Sequence, residues 1–165
     1  MAYNAVNVAS NIINNMHEKN LPLDHIKLQK LLYFFAVEYF KLNENFPFKQ
    51  QIEKWKLGPV VRDVYNEYKF KGSSSIESPT VQFTFEDGIF KTSKIKSEEL
   101  TYADEALLNE IIDKYGVLNS FRLVDITHEE DVWKEAKSKI EKREENLFYT
   151  NEDFNRIIGS TVNGE

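Results

Sequence analysis

The stretch KLQKLLYFFAVEYFKL, Lys27 to Leu42, decides the fold. Leu28, Leu31, Leu32, Phe35, Tyr39 and Leu42 recur at the three- and four-residue spacing of one helix face. Phe34 and Phe40 widen that face until most of the girth is apolar, and a helix of that kind needs neighbours on nearly every side. It is therefore predicted to be the central helix of the domain, with Asp24 as its N-cap. Each Leu or Phe it buries contributes roughly 2 kcal/mol of transfer free energy, so this one segment carries much of the drive to fold.

Outward from that helix the punctuation is local. Tyr3 to Glu18 reads as an amphipathic helix with Val6, Ala9, Ile13 and Met16 on one stripe and Asn11, Asn14 and Asn15 away from it; Asn20 to Pro22 ends it. On the other side the chain turns through Pro47, offers a short extended piece at Gln51 to Lys56, and reaches Gly58-Pro59. Pro59 suits the first turn of a helix running to about Phe70 and burying Val60, Val61, Val64, Tyr65 and Tyr68. Gly72 and Ser73 to Ser75 form a loop. Val81, Phe83 and Phe85 then alternate with Gln82 and Thr84, and Asp87-Gly88 leads into Ile89, Phe90 and Lys91, the pattern of an antiparallel hairpin.

Thr101 with Asp104 marks the start of a helix that carries Leu107, Leu108, Ile111, Ile112 and Tyr115 and closes at Gly116. Asn119 caps a short helix holding Phe121, Leu123 and Val124. Trp133 opens a charge-rich segment to about Leu147, and Asn151 caps a terminal turn or two with Phe154, Ile157 and Ile158. The expected fold class is mainly α with a small antiparallel β-hairpin or sheet (α+β). One globular domain is expected over residues 1–159, with 160–165 as a flexible tail.

Composition narrows the function. Of 165 residues, 41% are hydrophobic and 29% charged, the profile of a compact domain that buries a core unaided. The chain has no cysteine, which removes disulfides, thiolate nucleophiles and thiolate zinc sites and suits a cytoplasmic setting. The opening MAYNAVNVASNIINN lacks the basic and apolar regions of a signal peptide. The longest apolar run, Leu31 to Val37, is far shorter than the roughly 20 residues of a membrane span. A formal net charge of -6 repels a phosphate backbone, so nucleic acid is not the expected partner.

Catalysis and metal binding find little to start from. His17, His25 and His128 do not pair at helical spacing, and the acids Glu129 to Asp131 beside His128 point in different directions on a helix. No G-x-S-x-G elbow and no Gly-rich phosphate loop occurs, and the 27 Asp and Glu residues single out no pair. Lys134, Lys137, Lys139, Lys142 and Arg143 are interleaved with Glu135, Glu141, Glu144 and Glu145, which reads as a solvated, ion-paired helix surface. The chain is expected to be no enzyme and to need no cofactor or metal.

Three stretches carry a resemblance: KLQKLLYF (Lys27 to Phe34), WKLGPVVRDVYNEYK (Trp55 to Lys69) and THEEDVWKEA (Thr127 to Ala136). In order and spacing they resemble the Panacea domain, the SocA-like or phage-associated GepA-like antitoxins, over essentially the whole chain. Val132 stands where the family usually has proline, which leaves the backbone before Trp133 less constrained. The resemblance implies a mainly helical domain with a small antiparallel sheet, acting as the antitoxin of a bacterial or phage toxin-antitoxin module. It implies neutralisation of a cognate protein toxin by direct stoichiometric binding, with delivery to a protease in some members. Some members add a DNA-binding domain; with so short a run before Lys27, none is expected here.

Within the three stretches Leu28, Leu31 and Leu32 read as core and Gly58-Pro59 as a turn into a helix. Trp55, Tyr65 and Trp133 are residue types that serve as core and also as interface anchors, with core the commoner reading. His128 suits either a buried neutral ring or a partner contact. Lys27, Lys30 and Arg62 need a polar partner, inside the domain or on another protein. These seven residues are the candidate partner-binding set. The expected partner is a protein toxin, with a protease and a second copy of the chain as further candidates. Two other functions stay open: a nucleic-acid-binding transcriptional regulator, marked by a steep salt dependence of binding, and a phage protein that blocks a host defence factor.

Overall fold

A computed structural model describes residues 2–163, the last three of them through the backbone alone. Asn4 and Asp24 each accept a backbone N–H through the side chain and so start the helices Ala5–Glu18 (α1) and His25–Asn43 (α2). Every residue of α2 from Lys27 to Ala36 is buried. The central position expected of this helix is observed, because an apolar girth is stable only when covered all round. Leu42 departs from the expected stripe at 70% exposure: residues 41–45 all face water, and the turn closes on Glu44 in the left-handed region at φ 54.

Glu53–Trp55 (β1) pairs antiparallel with Gly58–Val60 (β2), Trp55 opposite Gly58. Pro59 therefore lies in a strand and not in a first helical turn, and the helix Arg62–Tyr68 (α3) begins only after Val61. The reason is Gln29 of α2. Its side chain accepts the Val61 N–H at 2.8 Å and donates to the Val61 carbonyl at 3.1 Å, which holds that residue extended. Beyond α3 a single 3-10 turn, Lys69–Lys71, leaves Phe70 exposed, and Tyr65 is half-buried where burial was expected.

Val81–Glu86 (β3) and Ile89–Lys94 (β4) form the predicted hairpin, joined through positive φ at Asp87 and Gly88. Every residue of both strands is exposed. The root alone is tied down, with the Thr80 N–H donating to Tyr68 Oη and Ser10 Oγ donating to the Ile95 carbonyl.

Tyr102–Tyr115 (α4), capped by Thr101, lays Leu107, Leu108, Ile111 and Ile112 into the core beside α2 and α1. Ser120–His128 (α5) follows, capped by Asn119; Leu123 and Val124 point inward and Phe121 faces solvent. The next helix, Asp131–Glu141 (α6), starts before Trp133 and stops short of Leu147. Arg143 and Asn146, both at positive φ, turn the chain back so that residues 147–149 lie along β1, where the Lys54 N–H donates to the Leu147 carbonyl at 2.7 Å.

Asn151–Asn163 (α7) is capped by Thr150 and not by Asn151: Thr150 and Asp153 exchange backbone N–H and side-chain oxygen at 3.0 and 3.1 Å. It runs on through Gly159 and buries Phe154 against Tyr33, Phe40 and Phe46. Of the tail expected at 160–165, residues 164 and 165 lie outside the described residues. Seven α-helices and two antiparallel hairpins among the described residues make the mainly helical α+β class that was expected.

Candidate partner-binding site

The turn between β1 and β2 brings the three resembling stretches together. Three carbonyls of this hairpin, one in each strand and one in the turn, each receive a side-chain donor. Trp133 Nε1–H donates to Trp55 O at 2.9 Å, His128 Nε2 meets Lys56 O at 2.9 Å, and Lys30 Nζ donates to Pro59 O at 3.1 Å. A carbonyl can only accept, so His128 carries a proton on Nε2. The His128 ring also stacks on Trp133, centroids 3.7 Å apart and planes within 17°. Gly58 sits at φ +99 in the middle, and a Cβ there would stand 2.5 Å from Thr127 Oγ1 and 3.0 Å from Lys30 Cε. Both α2 and α5 thus close directly on glycine backbone.

The candidate set divides accordingly. Lys27, Lys30 and Trp133 are 5%, 1% and 6% exposed, so the structure places them inside the domain. Lys27 Nζ donates to the carbonyls of Gly116 and Pro22 at 3.0 and 3.3 Å. The acceptors these lysines needed are intramolecular, because an ammonium buried without them is very costly. His128 is half-buried and bonded to the turn. Sequence reasoning missed Gln29 and Thr127, although both lie in the resembling stretches; an isolated amide among the buried positions of an apolar helix was the available signal for Gln29.

What the turn presents outward is Trp55, Arg62 and Tyr65. Trp55 is half-buried and meets the Tyr65 ring edge-on at 4.8 Å, and the Arg62 guanidinium lies 5.2 Å from the Trp55 ring centre. Arg62 Nε and Nη2 donate to the Glu53 carboxylate at 2.9 and 2.8 Å, and this fork raises the Arg62 pKa. Trp55 and Arg62 line an open groove of about 1060 Å³ between β1 and residues 140–148, together with Lys54, Glu144 and Leu147.

Two groups, the buried Lys30 of α2 and the half-buried Glu130 between α5 and α6, are tuned toward neutrality. Burial lowers Lys30 to about 7, against the opposing pull of Asp24. Burial raises Glu130 to about 7, partly offset by the Tyr33 hydroxyl that donates to it at 2.7 Å. Burial also lowers His128, with the Lys30 charge adding to that effect and the Lys56 carbonyl opposing it. Between pH 7 and the ordinary lysine value of 10.5 the unfolded chain binds a proton at Lys30 that the folded chain does not, so stability rises with pH across that window. Glu130 acts in the lower window: from 4.5 to about 7 the folded chain holds the extra proton and stability falls as pH rises. The melting temperature of the protein is therefore expected to climb from pH 7.5 to 9.5, with a slope from Lys30 approaching ~1.4 kcal/mol per pH unit. Lys30→Met removes that titration, and thermal melts of the two proteins across the range check it. An equal climb in Lys30→Met would assign the slope to other groups.

Among the described residues no group of three or more His, Asp or Glu side chains is placed to hold a metal ion, and no helix is long and apolar enough to cross a membrane. A helical domain that holds one surface hairpin with side chains from α2, α5 and α6, and shows an aromatic and cationic patch beside an open groove, has the surface of a protein-binding module. The chain belongs to the SocA-like antitoxin family: the family described as "Antitoxin SocA-like, Panacea domain" matches residues 28–134, from α2 into α6. It is accordingly the antitoxin of a toxin-antitoxin module, not an enzyme, and it interacts with a cognate toxin. No curated protein and no solved structure matches it.

Proposed function

We propose that this antitoxin neutralises its toxin by direct stoichiometric binding, and that the surface of Trp55, Arg62 and Tyr65 takes part in the contact. The observation that carries the reading is the clamp on the β1–β2 turn. Lys30, His128 and Trp133 donate to three carbonyls of one hairpin and fix Trp55, and the Arg62 guanidinium, held by Glu53, lies over its face. Aromatics and arginine dominate binding energy at interfaces, and holding them in place beforehand lowers the entropy lost on binding. Lys30, His128 and Trp133 serve this surface from behind, whereas Lys27, tied to the Gly116 and Pro22 carbonyls, has no part in it.

Co-expression with the toxin of the neighbouring gene tests it. Arg62→Glu sets a second carboxylate against Glu53 and removes the cation from Trp55. Growth rescue is expected to be lost while the circular dichroism spectrum stays that of the parent and the melting temperature falls only in part, because Arg62 is exposed although the Glu53 carboxylate it leaves is mostly covered. A folded Arg62→Glu protein that still rescues growth puts the contact elsewhere; an unfolded one makes Arg62 a structural ion-pair partner. Following toxin abundance separates two routes for the complex in the cytoplasm. Sequestration leaves the toxin present and silent, whereas delivery to a protease removes it.

A further inference from the structure

Val81, Phe83 and Phe85 share one face of the β3–β4 hairpin, and the strand register puts Lys94, Thr92 and Phe90 opposite them on that face. The rings of Phe85 and Phe90 meet at 4.9 Å, but the face is bare: Phe83 and Phe90 are about three-quarters exposed, Phe85 63% and Val81 48%. At the ~150–250 Å² typical of an aromatic side chain, this face offers roughly 400–500 Å² of apolar surface, the size at which exposed patches mark interaction sites.

We infer that the hairpin is a docking arm for the toxin, covered in the complex by an apolar helix or sheet face that carries a carboxylate near Lys94. Three observations choose this occupant. A second copy joined through the same face would bury only ~800–1,000 Å² in total, below the roughly 1,200–2,000 Å² of specific stable interfaces. A toxin that also touches the Trp55 patch reaches that range, and both surfaces are rooted on α3. Arg62 and Tyr65 hold one, while the Glu67 carbonyl and Tyr68 Oη hold Thr80 at the base of the other, about 10 Å along the helix axis. The charge agrees as well. Lys94 is the one charged residue on the apolar face, and the hairpin, residues 81–94, balances two lysines against two acids in a chain of net charge -6.

The inference rests on neutralisation by direct binding, and independently of it on where the contact lies. Phe83→Asp and Lys94→Glu in the full chain, titrated calorimetrically with the purified toxin of the neighbouring gene, test it alongside light scattering of the free antitoxin. Both variants are expected to keep the parent's spectrum and melting curve, because every residue of both strands is exposed. Toxin affinity is expected to fall at least tenfold in Phe83→Asp and several-fold in Lys94→Glu. If Phe83→Asp lowers the melting temperature, Phe83→Thr, which keeps strand propensity, takes its place. Unchanged toxin affinity in the hairpin variant overturns the docking arm. So does a free antitoxin that is dimeric as the parent and monomeric as Phe83→Asp with unchanged toxin affinity, since the occupant is then a second copy. A parent protein that does not bind the purified toxin sinks direct binding and the arm together, whereas binding lost in Arg62→Glu and intact in Phe83→Asp sinks the arm alone.

Discussion

Leu31→Ala or Leu32→Ala is expected to lower the free energy of unfolding by about 2–5 kcal/mol, one of the two largest single-residue effects in this chain. Both side chains are fully buried at the middle of α2, with α1, α3, α4, α5 and α7 packed around that helix. Removing three carbons there loses their transfer free energy and leaves a cavity that helices pinned on several sides cannot close. A domain of this size holds about 5–15 kcal/mol in all, so either change takes a large share. Urea titration followed by circular dichroism should show the midpoint falling with the slope unchanged. A midpoint that does not move would remove α2 from the centre of the fold.

Gly58→Ala is the second large effect, and it acts on the site as well as on stability. Left-handed backbone costs an L-residue about 1–2 kcal/mol, and the new methyl group would press on Thr127 Oγ1 and Lys30 Cε, which adds roughly 1–3 kcal/mol of overpacking. To relieve the contact the turn must lift away from α5. The Trp55 and Lys56 carbonyls would then leave Trp133 and His128, and toxin affinity should fall with stability. A double-mutant cycle isolates the cause. Thr127→Ala opens space above residue 58 without altering its φ, so the second substitution should restore part of the loss, a coupling of about 0.5–3 kcal/mol. Full stability in Gly58→Ala alone would show that neither the φ nor the close approach constrains the turn.

Much of the fold was legible because it depends on what each segment does within itself. The girth of α2 called for neighbours on every side, and ten consecutive buried residues, Lys27 to Ala36, meet that demand. Asp24, Thr101 and Asn119 cap the helices they precede, and the alternation around Asp87-Gly88 is a hairpin. In each case the deciding interaction spans only a few residues, so its partners stand beside one another in the sequence. The three stretches also identified the family, and through it the kind of partner.

Tertiary structure alone decided which polar and aromatic residues of those stretches face inward. Nothing local distinguishes Lys30, buried against the Pro59 carbonyl, from Arg62, exposed on Glu53. The difference comes from which distant chain arrives at each. Gln29 fixes Val61 from 32 residues away and so moves Pro59 into a strand, and Trp133 reaches Trp55 across 78. The hairpin shows the same limit from the other side. Its alternation predicts a strand with one apolar face, but burial of that face needs a second surface, and the chain supplies none among the described residues. Periodicity in a sequence states what a segment requires of its surroundings. Packing at long range decides whether the chain itself or another protein provides it.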